Sequence, residues 1–230
     1  MKKKEKFAIF DIDGTIFRKN LAFELIDELA WMKIFNVRVR NELVSLYSSW
    51  LNHEGSYEEY RKALVKLYAE NLKGCRQEQI IQASKKVVPF YKDRTYIFAD
   101  QLITKLKKEN YNIIAISGSP SEIVEEYNRY LKLDAVFGSV YEVTEQGIYT
   151  GRAVFEPTIH KGHAAKQYAL EKGLTFKDSY GIGDTESDAK FLEIVENPIA
   201  FNPNLNLKKI AEKKGWKIVI EKKDVIYEIK

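Results

Sequence analysis

The sequence predicts an α/β fold: a Rossmann-like parallel sheet flanked by helices, with an all-helical domain inserted after the first strand. Two observations carry this reading. From Asp93 onward, short apolar runs alternate with amphipathic helical stretches, the rhythm of strand–helix–strand units. Between Phe17 and about Val88 the spacing is helical, with no convincing strand, and this block breaks the alternation directly after the first apolar run. The chain therefore divides into a core, residues 1–17 and 90–230, and a helical insert, residues 18–89.

Each element has its own signal. KFAIF is a buried strand that stops at Asp11. In the insert, Leu21, Leu25, Ile26 and Leu29 repeat at helical spacing, as do Leu43, Leu46, Tyr47, Trp50 and Leu51. A third helix is capped by Ser56, carries Tyr57, Tyr60, Leu64, Leu67 and Tyr68 on one stripe, and ends at Gly74. A fourth runs from Gln77 to Val88 and is expected to stop before Pro89. The core continues with a helix over Thr95 to Glu109, the strand YNIIAISGSP and a helix from Ser121. A short strand DAVFG follows, then a hairpin over SVYEVTEQGIYTGRAV turning at TEQG. Helices over Thr158–Lys172, Glu186–Val195 and Leu207–Lys214 are then interleaved with the strands DSYGIG, PIAFN and WKIVI.

Composition bounds the partners. The 230 residues carry 37 basic and 33 acidic side chains, a net charge of +4 spread along the chain, which argues against a nucleic-acid partner. The basic start MKKKEK reads as a solvated segment. Cys75 is the only cysteine, so no internal disulfide forms and a reducing cytoplasm fits. Asp11 and Asp13 interrupt the first apolar run, so no signal peptide follows, and no run of ~18 apolar residues suggests membrane insertion. The aromatic helices from Trp31 to Trp50 read as packing within the insert rather than as a membrane face. Nothing in the sequence sets an oligomeric state.

Chemistry gathers at the strand ends, where open parallel sheets bind their ligands. DIDGT follows the first strand, SGS follows NIIAI, GDTESD follows DSYGI, and Lys161 lies in HKGH at a helix start. If those strands are neighbours, Asp11, Asp13, Ser117, Asp184, Asp188 and Lys161 share one crevice. Four carboxylates together need a counter-charge. Oxygen-only ligands with substrate phosphate suit Mg²⁺, while Ser117, Lys161 and amides near Gly14 and Gly118 offer donors to phosphoryl oxygens. A calcium loop counted from Asp11 would need Gly and Glu where Ile16 and Ala22 stand. GIGDTE lacks the third glycine of a dinucleotide loop, and His160 and His163 have no further ligands nearby for zinc.

On these motifs, in this order, the sequence resembles the haloacid dehalogenase-like phosphohydrolase superfamily, in its phosphoserine phosphatase-like branch. The helical insert stands where that branch carries its cap, and VYEVTEQGIYTGRA resembles the hairpin ahead of its third motif. The resemblance implies a Mg²⁺-dependent phosphatase acting on a small phosphorylated metabolite. Asp11 would be the nucleophile and Asp13 the general acid and base. Asp11, the main-chain carbonyl of Asp13 and the side chain of Asp184 would hold the metal, with Asp188 orienting Lys161 or a metal-bound water. Ser117, Gly118 and Lys161 would bind the phosphoryl group. Asp13 argues against halide displacement, whose leaving group needs no proton. Two departures separate the sequence from phosphoserine as substrate. Asn20 stands where those phosphatases place a glutamate for the amine, and Ser187 stands where they usually have asparagine. Asn20 and Arg61 are the candidates for substrate selection; a phosphotransferase or mutase, or a non-catalytic phosphate-binding module, is the alternative reading.

Overall fold

The computed structural model describes residues 6–229; the basic start at residues 1–5 lies outside them. The chain opens with β1 (Lys6–Phe10), then runs through α1 (Leu21–Trp31), α2 (Val37–Leu51), α3 (Tyr57–Leu72), α4 (Gln77–Tyr91) and α5 (Ile97–Lys108). It continues with β2 (Asn112–Pro120), α6 (Ser121–Leu131), β3 (Ala135–Val143), β4 (Tyr149–Phe155), α7 (Pro157–Lys172) and β5 (Thr175–Gly183). The last elements are α8 (Ala189–Leu192), β6 (Asn197–Phe201), α9 (Leu205–Lys214), β7 (Lys217–Lys222) and β8 (Val225–Ile229).

The strands form one sheet in the order β4-β3-β2-β1-β5-β6-β7-β8. Neighbours from β3 to β7 are parallel, and the outer strands β4 and β8 pair antiparallel. β1 is central and alternates faces, as the two-residue period of a strand requires. Ala8 and Phe10 join the apolar cluster that includes α5, α6 and the inserted helices, whereas Phe7 and Ile9 join the cluster with α7, α8 and α9. Helices on both faces bury this sheet completely at its centre. The chain leaves β1 toward β2 on one side and meets β5 on the other, so the strand order reverses beside β1. That is where a crevice opens.

The inserted helices start on side-chain caps. The side chains of Asn20 and Asn36 accept from the amides of Phe23 and Arg38, and Ser56 with Glu59 closes a reciprocal capping box. α4 packs on α6 and α3 on β4, which seats the insert on the core. Its two connections run side by side: Arg18 N–H donates to Arg94 O (2.8 Å) and Tyr96 N–H to Ile16 O (3.0 Å).

Four elements differ from the sequence reading. α4 passes through Pro89 to Tyr91; the proline removes one amide donor near a helix end that closes with Lys92 N–H on Val88 O. DAVFG and the first arm of the hairpin are one strand, β3, because Gly138 lets the chain slide past the start of α6. A Cβ there would lie 2.6 Å from Ser121 Cα. α8 is a single turn, since the Asp188 side chain accepts from the amides of Asp184 and Thr185 and holds that segment as a loop. β8 was not foreseen; it returns through a two-residue turn in which Lys223 has φ 58°, without the Gly or Asn that marks such turns.

Candidate active site

The loop after β1 is wound tightly around Ile12, whose carbonyl accepts from the amides of Thr15, Ile16 and Phe17. Asp11 N–H donates to Ile182 O of β5 at 2.9 Å, which pins this loop to its neighbour. Asp11 and Asp13 are both buried, one on each side of Ile12.

Lys161, in the first turns of α7, is 2% exposed and reaches across the crevice. Its Nζ donates to Asp11 Oδ1 and Asp188 Oδ1, each at 2.5 Å. The other oxygen of Asp188 accepts from Asp184 N–H (3.0 Å), Thr185 N–H (2.9 Å) and Thr185 Oγ1 (3.2 Å), so both its oxygens are committed. The other oxygen of Asp11, Oδ2, is buried with no hydrogen-bond partner. Asp184 completes the group: it, Asp11 and Asp188 bring carboxylate oxygens within 4.8 Å of one another.

Asp13 faces a different set of donors. Its Oδ1 accepts from Leu21 N–H (2.6 Å), and its Oδ2 accepts from Ser117 Oγ (2.5 Å) and Ser119 Oγ (2.8 Å). Ser119 Oγ in turn accepts from Ala22 N–H at 3.0 Å, so the general-acid candidate is tied to the first turn of α1. Sequence reading passed over Ser119. Its signal was present: Ser117 and Ser119 are two apart on a strand and therefore share a face.

Burial pushes the Asp11 carboxyl up to about 8; Lys161 opposes this, and the charges of Asp188 and Asp13 add to it. Burial raises Asp13 as well, against the hydroxyl and amide donors around it. Asp184 is raised well above the carboxylate range, by burial and then by Asp11. Burial alone would lower the Lys161 ammonium, but Asp11 and Asp188 more than offset it and keep it charged. One buried cation thus faces four buried carboxylates. The all-oxygen donors, the clustered carboxylates of Asp11, Asp184 and Asp188 and the raised acids fit a divalent cation of the hard, oxygen-seeking kind.

A chamber of about 40 Å³ lies over these groups, lined by Asp11, Asp13, Gly118, Lys161 and Asp184 among others. Arg61 also lines it, though Glu58 holds the guanidinium at both Nε (2.8 Å) and Nη2 (2.7 Å). Asn20 lines it too, with its side-chain oxygen accepting from Phe23 N–H. Ser117 is fully buried, its hydroxyl on Asp13. His160 and His163 line a separate surface groove, and Cys75 is buried with its thiol on Asn71 O.

In a doubly wound sheet the reversal point is where ligands bind, and here it collects a buried lysine and an acid cluster. The chain belongs to the haloacid dehalogenase-like hydrolase family, whose profile matches residues 8–193. It is 34% identical to a phosphoserine phosphatase of Mycobacterium tuberculosis, over 92% of this chain and 69% of that protein. To the phosphoserine phosphatase of Methanocaldococcus jannaschii it is 26% identical, over 98% of this chain and 96% of that one. In fold it resembles the solved phospho-aspartyl intermediate analogue of a phosphoserine phosphatase, with a TM-score of 0.64 and 24% identity over 96% of each chain. The protein is a phosphatase of this family, in its phosphoserine phosphatase-like branch. Among the described residues, no helix is long and apolar enough to cross a membrane.

Gly14 gives a direct check on the acid cluster. It has φ +87°, and a Cβ there would sit 2.2 Å from Asp184 Oδ2. Gly14→Ala is expected to displace the Asp184 carboxylate and lower turnover on the order of a hundredfold. The check is kcat and divalent-cation affinity beside an unchanged circular-dichroism spectrum.

Proposed function

We propose that this phosphatase hydrolyses a small phosphomonoester by way of a phosphorylated Asp11, with Mg²⁺ as its cation and with the inserted helices, residues 18–89, as a cap over the site. The observation that carries the reading is the asymmetry of Asp11: Lys161 holds one oxygen, and the other is bare in a residue that lines the small chamber. An aligned carboxylate with one free oxygen is what attack on phosphorus needs.

The free oxygen of Asp11 bonds to phosphorus as the bond to the leaving alkoxide breaks. Asp13 delivers its proton to that alkoxide, a task for which its raised proton affinity suits it. Asp13 then takes a proton from water, which attacks phosphorus and frees Asp11. Lys161 and the Gly118 amide bind phosphoryl oxygens; Ser117 joins them by exchanging its bond to Asp13. Asp188 keeps Lys161 in place, since neither of its oxygens is free for anything else. Asp11, the carbonyl of Asp13 and the side chain of Asp184 would hold the cation, which when bound neutralises charge on the phosphoryl oxygens. The free, buried Cys75 thiol needs no oxidising compartment, which supports a cytoplasmic setting.

The test is a phosphate-release screen with Mg²⁺ across sugar phosphates, amino-alcohol phosphates, nucleotides and phospholipid head groups. Turnover that a chelator abolishes and Mg²⁺ restores supports the reading. Release that persists in metal-stripped enzyme, or no release from any of them, sinks it.

A further inference from the structure

A second cavity, of about 390 Å³, adjoins the small chamber and shares Asn20, Tyr57 and Asp184 with it. Its walls carry Tyr47, Trp50, Tyr57, Tyr60 and Tyr96. Four of these rings form one cluster, with Trp50 stacked on Tyr60 at 5.6 Å and edge-on to Tyr57 at 5.3 Å. Burial, and after it the charges of Asp184 and Asp13, raise the Tyr57 phenol. It stays neutral, and the wall beside the phosphoryl chamber is aromatic rather than anionic.

Apart from Asp184, the charged groups on this wall have one sign. Arg18 and Lys19 line the cavity, and their counter-ions Glu221 and Glu24 are buried outside its lining. Among the described residues, Asp184 is the only carboxylate lining it, and that group belongs to the acid cluster. Aromatic walls often hold ammonium groups. Here the chain's own cations stand over two of the wall rings: Arg18 Cζ lies 5.0 Å from the centre of the Tyr96 ring and Lys19 Nζ 5.7 Å from that of Tyr47.

Resting on the phosphatase reading, we infer that this cavity is the leaving-group site and takes a ring-bearing alcohol that carries no positive charge. The rings supply flat apolar contact, and the cationic heads exclude an ammonium by like-charge repulsion.

Four probes test it with the whole chain and Mg²⁺: benzyl phosphate, glycerol 3-phosphate, phosphoserine and phosphoethanolamine. All four leave as alkyl-type alkoxides, so ring recognition is not confused with a stabilised phenolate. Benzyl phosphate is expected to exceed phosphoethanolamine by about tenfold or more in kcat/KM. Trp50→Leu should cut kcat/KM for benzyl phosphate about tenfold relative to that for glycerol 3-phosphate. Lys19→Met should raise phosphoethanolamine several-fold relative to benzyl phosphate. Because Trp50 packs on Tyr60, Tyr47→Leu serves as the second variant if Trp50→Leu unfolds. Four substrates turned over alike, with both ring variants and Lys19→Met changing nothing, would overturn the inference and leave the phosphatase reading intact. Phosphate release from none of the four would remove the reading and the inference with it.

Discussion

Asp11→Asn is expected to lose more than about 99% of turnover and yet to yield a metal-free protein more stable than its parent at neutral and higher pH. The two effects share a cause. The side chain is buried, and burial holds its carboxyl at about 8, above the ordinary value of 3.8. Between those values the folded state keeps a proton that the unfolded chain has released. This group's contribution is therefore fully present below 3.8 and declines as pH rises toward about 8. Asparagine has no charge to desolvate and can still accept from Lys161. The variant-minus-parent difference in Tm should grow as pH is raised through that window, measured without divalent cations. Mg²⁺ should shrink the difference, because a bound cation relieves the parent's excess of negative charge. Residual turnover above about one per cent would contradict the nucleophile role. A Tm difference that falls with pH would contradict the electrostatic account.

How far the sequence reveals this site depends on the range of each signal. Asp11 and Asp13 are legible because a buried strand that ends in two carboxylates has no packing rationale, and the motifs around Ser117, Lys161 and Asp184 follow in order. Their meeting needs β1 to lie between β2 and β5, which is what the sheet provides. The sequence shows that Ser119 shares a strand face with Ser117, but not its bridge, which is a matter of tertiary structure: its hydroxyl joins Asp13 to the first turn of α1. The aromatic stripe of α3 was legible as a stripe, but periodicity does not separate a ring in the core from a ring on a cavity wall. Tyr68 is core, whereas Tyr57 and Tyr60 also face the larger cavity. In the fold, β8 is hard to read because its side chains are largely exposed and its turn, Lys223–Asp224, lacks the Asn-Gly or Asp-Gly pair that marks a two-residue hairpin.

Lys161→Met is expected to cost both function and fold. The ammonium is the one buried cation between Asp11 and Asp188, and each contact is 2.5 Å. Removing one partner of a buried ion pair leaves uncompensated charge, which typically costs about 3–5 kcal/mol. The same substitution removes a donor to the phosphoryl oxygens, so turnover falls with stability. Arginine is not expected to rescue it, because a planar guanidinium is wider than the gap that a compact ammonium fills. Charge and packing are separable here by a double variant. If the loss is electrostatic, Asp11→Asn added to Lys161→Met removes one of the stranded carboxylates and recovers part of the stability. The pair is then strongly non-additive. If the loss is only a matter of shape, the two changes add. Urea unfolding of the parent, both single variants and the double variant at pH 8 without divalent cations distinguishes the cases. A Lys161→Met protein within about 1 kcal/mol of its parent would show that the carboxylates do not depend on this lysine for their charge balance.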